Sequence, residues 1–229
     1  MARYALFDIE TRVDWDLVEA IEDCPRARYL EELRESTHQP QPFVPWVYHL
    51  PISIAIGFVD GGLDRVGSLP GGPDSEALSI NFWSWLMRFQ GNGKAGVLVS
   101  FNGRGFDIPV LEFAALRYPI SIAQHFQERY GNRYRFQTDC HLDVMDFLTD
   151  YGASPRPRGG LSMLAAICGL PPKATHGGDV EALYQAGEID KINRYCRNDV
   201  RRLYAVWGRL QLLRGLRATL PELPELEEE

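Results

Sequence analysis

Apolar and polar side chains alternate from the third residue onward. In Arg3–Glu10, Ala5, Phe7 and Ile9 fall on one face and Tyr4, Leu6, Asp8 and Glu10 on the other, a period of two that predicts a strand. Helical spacing follows over Asp16–Glu35, where Leu17, Ile21, Leu30 and Leu33 recur, with a break at Pro25. The Pro-rich stretch Gln39–Pro45 leads into Val47–Val59, in which Ile52, Ile54, Ile56 and Phe58 alternate with small residues. Gly61-Gly62 then turns the chain into Leu63–Ser68, which predicts a hairpin. Asp74 is placed to cap a helix running to about Gln90. Ala95–Phe101 reads as a buried strand, and Asn102-Gly103 leads to a helix through Leu116. Asp143–Tyr151, Leu161–Cys168 and Val180–Ala186 predict short helices between Gly/Pro-rich loops, and the longest helix is expected from Glu188 to about Arg217.

This order suits one α/β layer fold with a mixed sheet. Residues 1–218 are expected to form a single domain, and residues 219–229 an acidic, disordered tail. A chain of 229 residues can bury a sizeable core unaided, and 45% hydrophobic with 24% charged residues excludes a disordered polymer. The longest apolar runs, Pro51–Val59 and Ala95–Phe101, are too short to span a bilayer, and the first residues do not read as a cleavable leader. Cys24, Cys140, Cys168 and Cys196 lie far apart with no Cys-x-x-Cys pair, which fits reduced thiols. The expectation is a soluble, cytoplasmic protein.

Net charge changes this picture less than its value suggests. The total is −7, but Glu222, Glu225, Glu227, Glu228 and Glu229 sit together at the end, so the body without them stands at −2. Arginine outnumbers lysine 21 to 3, which suits forked contacts to phosphate and equally suits a GC-rich coding sequence. Charge alone neither selects nor excludes a nucleic-acid partner.

The candidate chemistry lies in a few acids. Asp8 and Glu10 project from one face at the end of the first strand, where two like charges resist joint ionisation unless a cation lies between them. Acidic pairs at this spacing also occur without a role, as in Asp14/Asp16. Asp107 precedes Ile108-Pro109, so it fits both an ordinary helix cap and a ligand at the carboxyl end of a strand. Tyr195 and Asp199, four apart on one helix, lie about 40° apart around the axis and about 6 Å along it. Ile192, Leu203, Val206 and Leu210 share the arc of Asp199, whereas Arg194, Arg197 and Arg201 lie opposite and read as a solvated face. An acid on the inward face needs a partner, either an arginine or a metal.

Three motifs stand in order along the chain: Phe7-Asp8-Ile9-Glu10-Thr11, Asn102-Gly103-x-x-Phe106-Asp107-x-Pro109 and Tyr195-x-x-x-Asp199. Together they resemble DEDD-type 3′–5′ exonucleases of the tyrosine subclass, in the stand-alone form related to the proofreading domain of family B DNA polymerases. Further likeness runs through His49-Leu50-Pro51, Asp143–Gly152, Leu161–Lys173 and Gly178–Leu183, so that most of residues 3–210 is covered. The resemblance implies a ribonuclease-H-like α/β fold, a mixed β-sheet flanked by α-helices. It implies Asp8, Glu10, Asp107 and Asp199 as metal-binding carboxylates and Tyr195 as the residue that orients the attacking water. Asn102 and Phe106 match positions facing the terminal nucleotide, and Thr11 a substrate-side position. Lys173 has two readings, a phosphate contact or a solvated loop lysine. Arg156-Pro157-Arg158-Gly159-Gly160 likewise reads either as a backbone clamp or as a surface turn. The other subclass carries histidine five residues before the last Asp, where this chain has Arg194.

The implied reaction is metal-dependent hydrolysis of phosphodiesters from the 3′ end, releasing nucleoside 5′-monophosphates in a DNA-repair setting. Two divalent cations about 3.5–4 Å apart would stabilise the attacking and leaving oxygens together. An all-oxygen ligand set selects Mg²⁺ or Mn²⁺ over Zn²⁺. A phenol with an ordinary pKa near 10 is a poor base, so Tyr195 reads as a positioner. Single-stranded DNA is the favoured substrate. The competing readings are an exoribonuclease of the same fold and a non-catalytic nucleic-acid-binding adaptor. Two departures stand out: the Thr11–Trp46 insertion, whose path the motifs do not fix, and a length that leaves no room for a polymerase acting in cis.

Overall fold

A computed structural model describes residues 3–91, 96–126, 133–173 and 177–228. The opening alternation folds as β1 (Arg3–Val13), the middle strand of a five-stranded sheet. β2 (His49–Asp60) pairs antiparallel with it and turns into β3 (Gly62–Ser68) through the expected hairpin. On the other side β4 (Gly96–Ser100) and β5 (His141–Asp143) add in parallel, giving the order β3-β2-β1-β4-β5. Ala95, expected to begin the fourth strand, lies outside the described residues.

Parallel neighbours need long crossovers, and helices supply them. α1 (Trp15–Glu22) and α2 (Arg26–Thr37) belong to the insertion, with Pro25 between them as the break. α3 (Ser75–Gly91) joins β3 to β4, its first turn capped by Asp74, whose carboxylate accepts the Glu76 and Ala77 amides at 2.9 and 3.1 Å. α4 (Asp107–Arg117) and the single turn α5 (Ala123–Phe126) lie between β4 and β5. α6 (Val144–Leu148), α7 (Gly160–Ile167), α8 (Val180–Gln185) and α9 (Ile189–Leu213) follow.

The period of two in β1 becomes two cores. Ala5, Phe7 and Ile9, with Ile54, Ile56 and Leu98, pack on Phe82, Leu86 and Leu111 of α3 and α4. Leu6, with Ala55, Val97, Val99 and Leu142, faces Ala165 of α7 and Cys196, Val200 and Leu203 of α9. Asp8 and Glu10 extend the Leu6 face beyond the end of the parallel pairing, which stops at Leu6–Val99. Gly57 lets α9 come close: a Cβ there would lie 2.8 Å from Val200 Cγ1. Four sequence expectations need correction.

Asp143 does not start a helix. It is the last residue of β5 and the cap of α6, accepting the Met145 amide at 3.0 Å. A three-residue strand is too short to display a period. The longest helix stops at Leu213, short of Arg217, because Gly215 takes a left-handed φ of 69° and the Leu216 amide turns back to the Gln211 carbonyl at 2.9 Å.

The arginine stripe and the tail correct each other. Arg197 and Arg201 both ion-pair with Glu227, and Arg194 donates to the Glu228 carbonyl at 2.6 Å. Asn198 exchanges hydrogen bonds with the Glu227 backbone, both at 2.9 Å. Residues 219–228 form no helix or strand, yet opposite charge straps them along α9. The stripe is therefore covered, not solvated, and the tail is held, not loose; Glu229 lies outside the described residues.

The insertion is fastened to the body. Asp14 donates its amide to the Tyr48 carbonyl at 2.8 Å and ion-pairs with Arg117, while Trp46 meets Phe113 edge-on at 4.8 Å. Val18, Tyr29, Val44 and Tyr48 give it a small core of its own. Among the described residues no helix is long and apolar enough to cross a membrane.

Candidate active site

The site forms where β1 outruns β4. With no strand beside it there, the Ile9 amide donates to Asp107 Oδ1 at 3.2 Å, which brings the first acid of α4 onto β1. Asp107 begins the helix itself rather than capping it, since Phe106 holds the cap position without a side-chain bond. Across the sheet face, α9 presents Tyr195 and Asp199, 5% and 7% exposed, toward Asp8 and Glu10. A ligand atom each from Asp8, Glu10 and Cys196 lies within 4.8 Å of the others, and Cys196 Sγ donates to the Asp8 carbonyl at 3.3 Å.

Electrostatics register the crowding. Burial, then the charges of Asp199, Glu10 and Asp107, push the Asp8 carboxyl well above the ordinary carboxylate range. Burial and Asp199 do the same to Glu10. Asp107 is pushed up to about 7, chiefly by burial and secondarily by Asp143, against the hydrogen bonds it accepts. Burial and the neighbouring Asp8 and Glu10 also push the Cys196 thiol well up. Asp8, Glu10 and Asp107, all with raised proton affinity, crowd with Asp199, and four carboxylates offering only oxygen donors fit hard divalent cations.

Lys173 is not a solvated loop lysine. Its ammonium ion-pairs with Asp199, donates to the Tyr195 hydroxyl at 3.1 Å and sits 4.6 Å from that ring's centre. It is the positive charge that lowers the proton affinity of both Asp8 and Glu10.

The loop after β4 is held by one residue that motif reading did not single out. Asp143 accepts the Asn102 amide at 2.8 Å and the Arg104 amide at 2.9 Å. Asn102 takes a left-handed φ of 62°, which asparagine tolerates, and Gly103 packs so tightly that a Cβ would meet Ser100 at 2.5 Å. A lone Asp at a strand end gives no pattern that marks this role. Half-buried Phe106 stands beside the acids. Arg156 approaches this loop, 3.4 Å from where a Gly105 Cβ would be, so the Arg156–Gly160 segment borders the site.

Thr11 is also fixed. Its hydroxyl pairs with His49 Nδ1 at 2.7 Å, and His49 Nε2 meets the Val44 carbonyl at 3.0 Å. A carbonyl only accepts, so Nε2 carries the hydrogen; burial holds the imidazole below its ordinary pKa and hence neutral. Nδ1 then accepts from Thr11, whose oxygen keeps its acceptor capacity for the cleft.

A five-stranded mixed sheet with helices on both faces, and acids gathered at the end of its central strand, has the ribonuclease-H-like architecture. The chain belongs to the family described as predicted 3′–5′ exonucleases related to the exonuclease domain of PolB, whose model matches residues 41–221. Among solved structures, the family B DNA polymerase of the hyperthermophilic archaeon Pyrobaculum calidifontis is similar with a TM-score of 0.59 and 17% identity, over 93% of this chain and 25% of that one. This chain thus spans about a quarter of the polymerase. The zinc-bound E. coli ExoI–ssDNA complex aligns at a TM-score of 0.41 and 14% identity, over 93% of this chain and 45% of that one. Comparison with curated proteins found no match.

Proposed function

We propose that this protein hydrolyses single-stranded DNA from its 3′ end, releasing nucleoside 5′-monophosphates, with Mg²⁺ or Mn²⁺ held by Asp8, Glu10, Asp107 and Asp199. The observation that carries the reading is the convergence of half-buried Asp8 with buried Glu10, Asp107 and Asp199 from β1, α4 and α9, three of the four with raised proton affinity. Such a cluster is costly unless protons or cations neutralise it. A pair of divalent ions there would neutralise charge on the phosphodiester and lower the pKa of a water.

The chain's own groups then do the positioning. Tyr195, held by the Lys173 ammonium, orients the water by hydrogen bonding. Phe106 offers a ring to the terminal base, and Thr11, with its proton directed at His49, accepts from a sugar hydroxyl. Asn102 faces the same nucleotide from a backbone locked by Asp143. Lys173 is placed to meet a phosphate once cations replace it among the acids.

The test incubates 5′-labelled DNA and RNA oligonucleotides with Mg²⁺, Mn²⁺ or chelator. A ladder shrinking from the unlabelled end, lost in chelator and in Asp199→Ala, is expected, with DNA cut faster than RNA. Tyr195→Phe should slow cleavage while leaving Mn²⁺ affinity by calorimetry intact. RNA cut in preference would transfer the reading to an exoribonuclease; Mn²⁺ binding without hydrolysis of either polymer would leave a binding module.

A further inference from the structure

The Thr11–Trp46 insertion, which the three motifs leave unplaced, walls one side of a cleft of about 710 Å³. Glu10, Thr11 and Phe106 form its inner end, so the cleft is continuous with the acid cluster. At its lip stands Phe43, a large apolar side chain that is 61% exposed. One face of its ring stacks on His49 at 5.1 Å and 16°, and Phe106 meets it edge-on at 5.4 Å. His49 is itself pinned at both nitrogens, so the platform is held before any ligand arrives.

Positive charge lines the same wall. Arg34 is exposed, is in no ion pair among the described residues and has its stem fixed by a 3.3 Å bond from Nε to the Pro40 carbonyl. Arg26 lies flat on Trp15, 4.1 Å from the ring centre, with Glu181 at 3.9 Å. An open aromatic face beside a guanidinium, leading to the candidate reaction centre, matches the alternation of base and phosphate in an unpaired strand.

We infer that this cleft binds single-stranded nucleic acid next to the reacting nucleotide, one base stacking on the free face of Phe43 and a backbone phosphate meeting Arg34. The inference rests on the proposed 3′–5′ reading for the direction of the strand. Stacking tolerates any base but requires an unpaired one, so the insertion would select frayed or single-stranded ends without reading sequence.

Fluorescence anisotropy of the full chain with labelled (dT)10 in chelator tests it apart from catalysis. Phe43→Ala should weaken binding about tenfold and Phe43→Trp should restore it, because one stacked base is at stake. Arg34→Ala should reduce the salt slope of log affinity by about 0.7. Both side chains are exposed, so unchanged circular dichroism is expected. Wild-type affinity in both Phe43→Ala and Arg34→Ala, an equal loss on a blunt duplex, or no wild-type binding of (dT)10 would each overturn the inference. Cleavage with no role for Phe43 sinks the inference alone, whereas Phe43-dependent binding without cleavage sinks only the proposed activity.

Discussion

Asp107 carries a burden that the protein sheds only when the charge around it is balanced. Its native carboxyl titrates at about 7, against an ordinary unfolded value near 4, so the folded chain holds this proton more tightly than the unfolded chain does. Its contribution to stability is complete below pH 4 and is lost as pH rises toward 7; Asp8 and Glu10, also raised, act in the same direction. In chelator, the melting temperature should therefore fall between pH 5 and 7, above the range in which the depressed Glu112 and Glu227 titrate. Adding Mn²⁺ at pH 7 should reverse the fall, and Asp107→Asn should flatten the profile. A melting temperature that rises over that window without metal would contradict the crowding. Strand and helix periods set Asp8, Glu10 and Asp199 on definite faces in the sequence, whereas Asp107 kept a helix-cap reading and joined them only through the motif resemblance. Lys173 was not legible there, since a loop residue has no period and its ion pair with Asp199 arises only from tertiary packing.

Among the elements, α9 sets the site's dimensions. Its approach to the sheet depends on Gly57, where a methyl group would lie 2.8 Å from Val200 Cγ1, 3.1 Å from Leu63 Cδ1 and 3.3 Å from Val66 Cγ2. Gly57→Ala should cost about 1–3 kcal/mol in urea unfolding, the usual range for overpacking. It should also depress cleavage beyond that loss, because moving α9 withdraws Tyr195 and Asp199 from Asp8. Adding Val200→Ala should restore much of both; failure to do so would place the strain elsewhere. At this scale the sequence was read well where periods are long. The first strand, the hairpin and both helices bearing acids stand close to their expected bounds. β5 escaped because three residues cannot show alternation, and with it went the role of Asp143, which locks the Asn102–Arg104 loop.

The whole molecule joins two attachments to the α/β body, an insertion after β1 fixed to α4 and a C-terminal strap on the back of α9. Neither attachment could be read from composition: a run of glutamates looks like a loose tail, and three arginines on a polar arc look solvated, until the two are brought together. The strap also bears on how the chain meets its surroundings. Glu227 sits between Arg197 and Arg201 with side chains only partly buried, so concentrated electrolyte should loosen the ion pairs while leaving the apolar cores intact. Arg217, which holds the Gly61 carbonyl at 3.3 Å, lies just ahead of the strap. Brief digestion with trypsin should therefore clip after Arg217 slowly in dilute buffer and markedly faster in molar salt, leaving a trimmed core whose electrophoretic mobility reports the release.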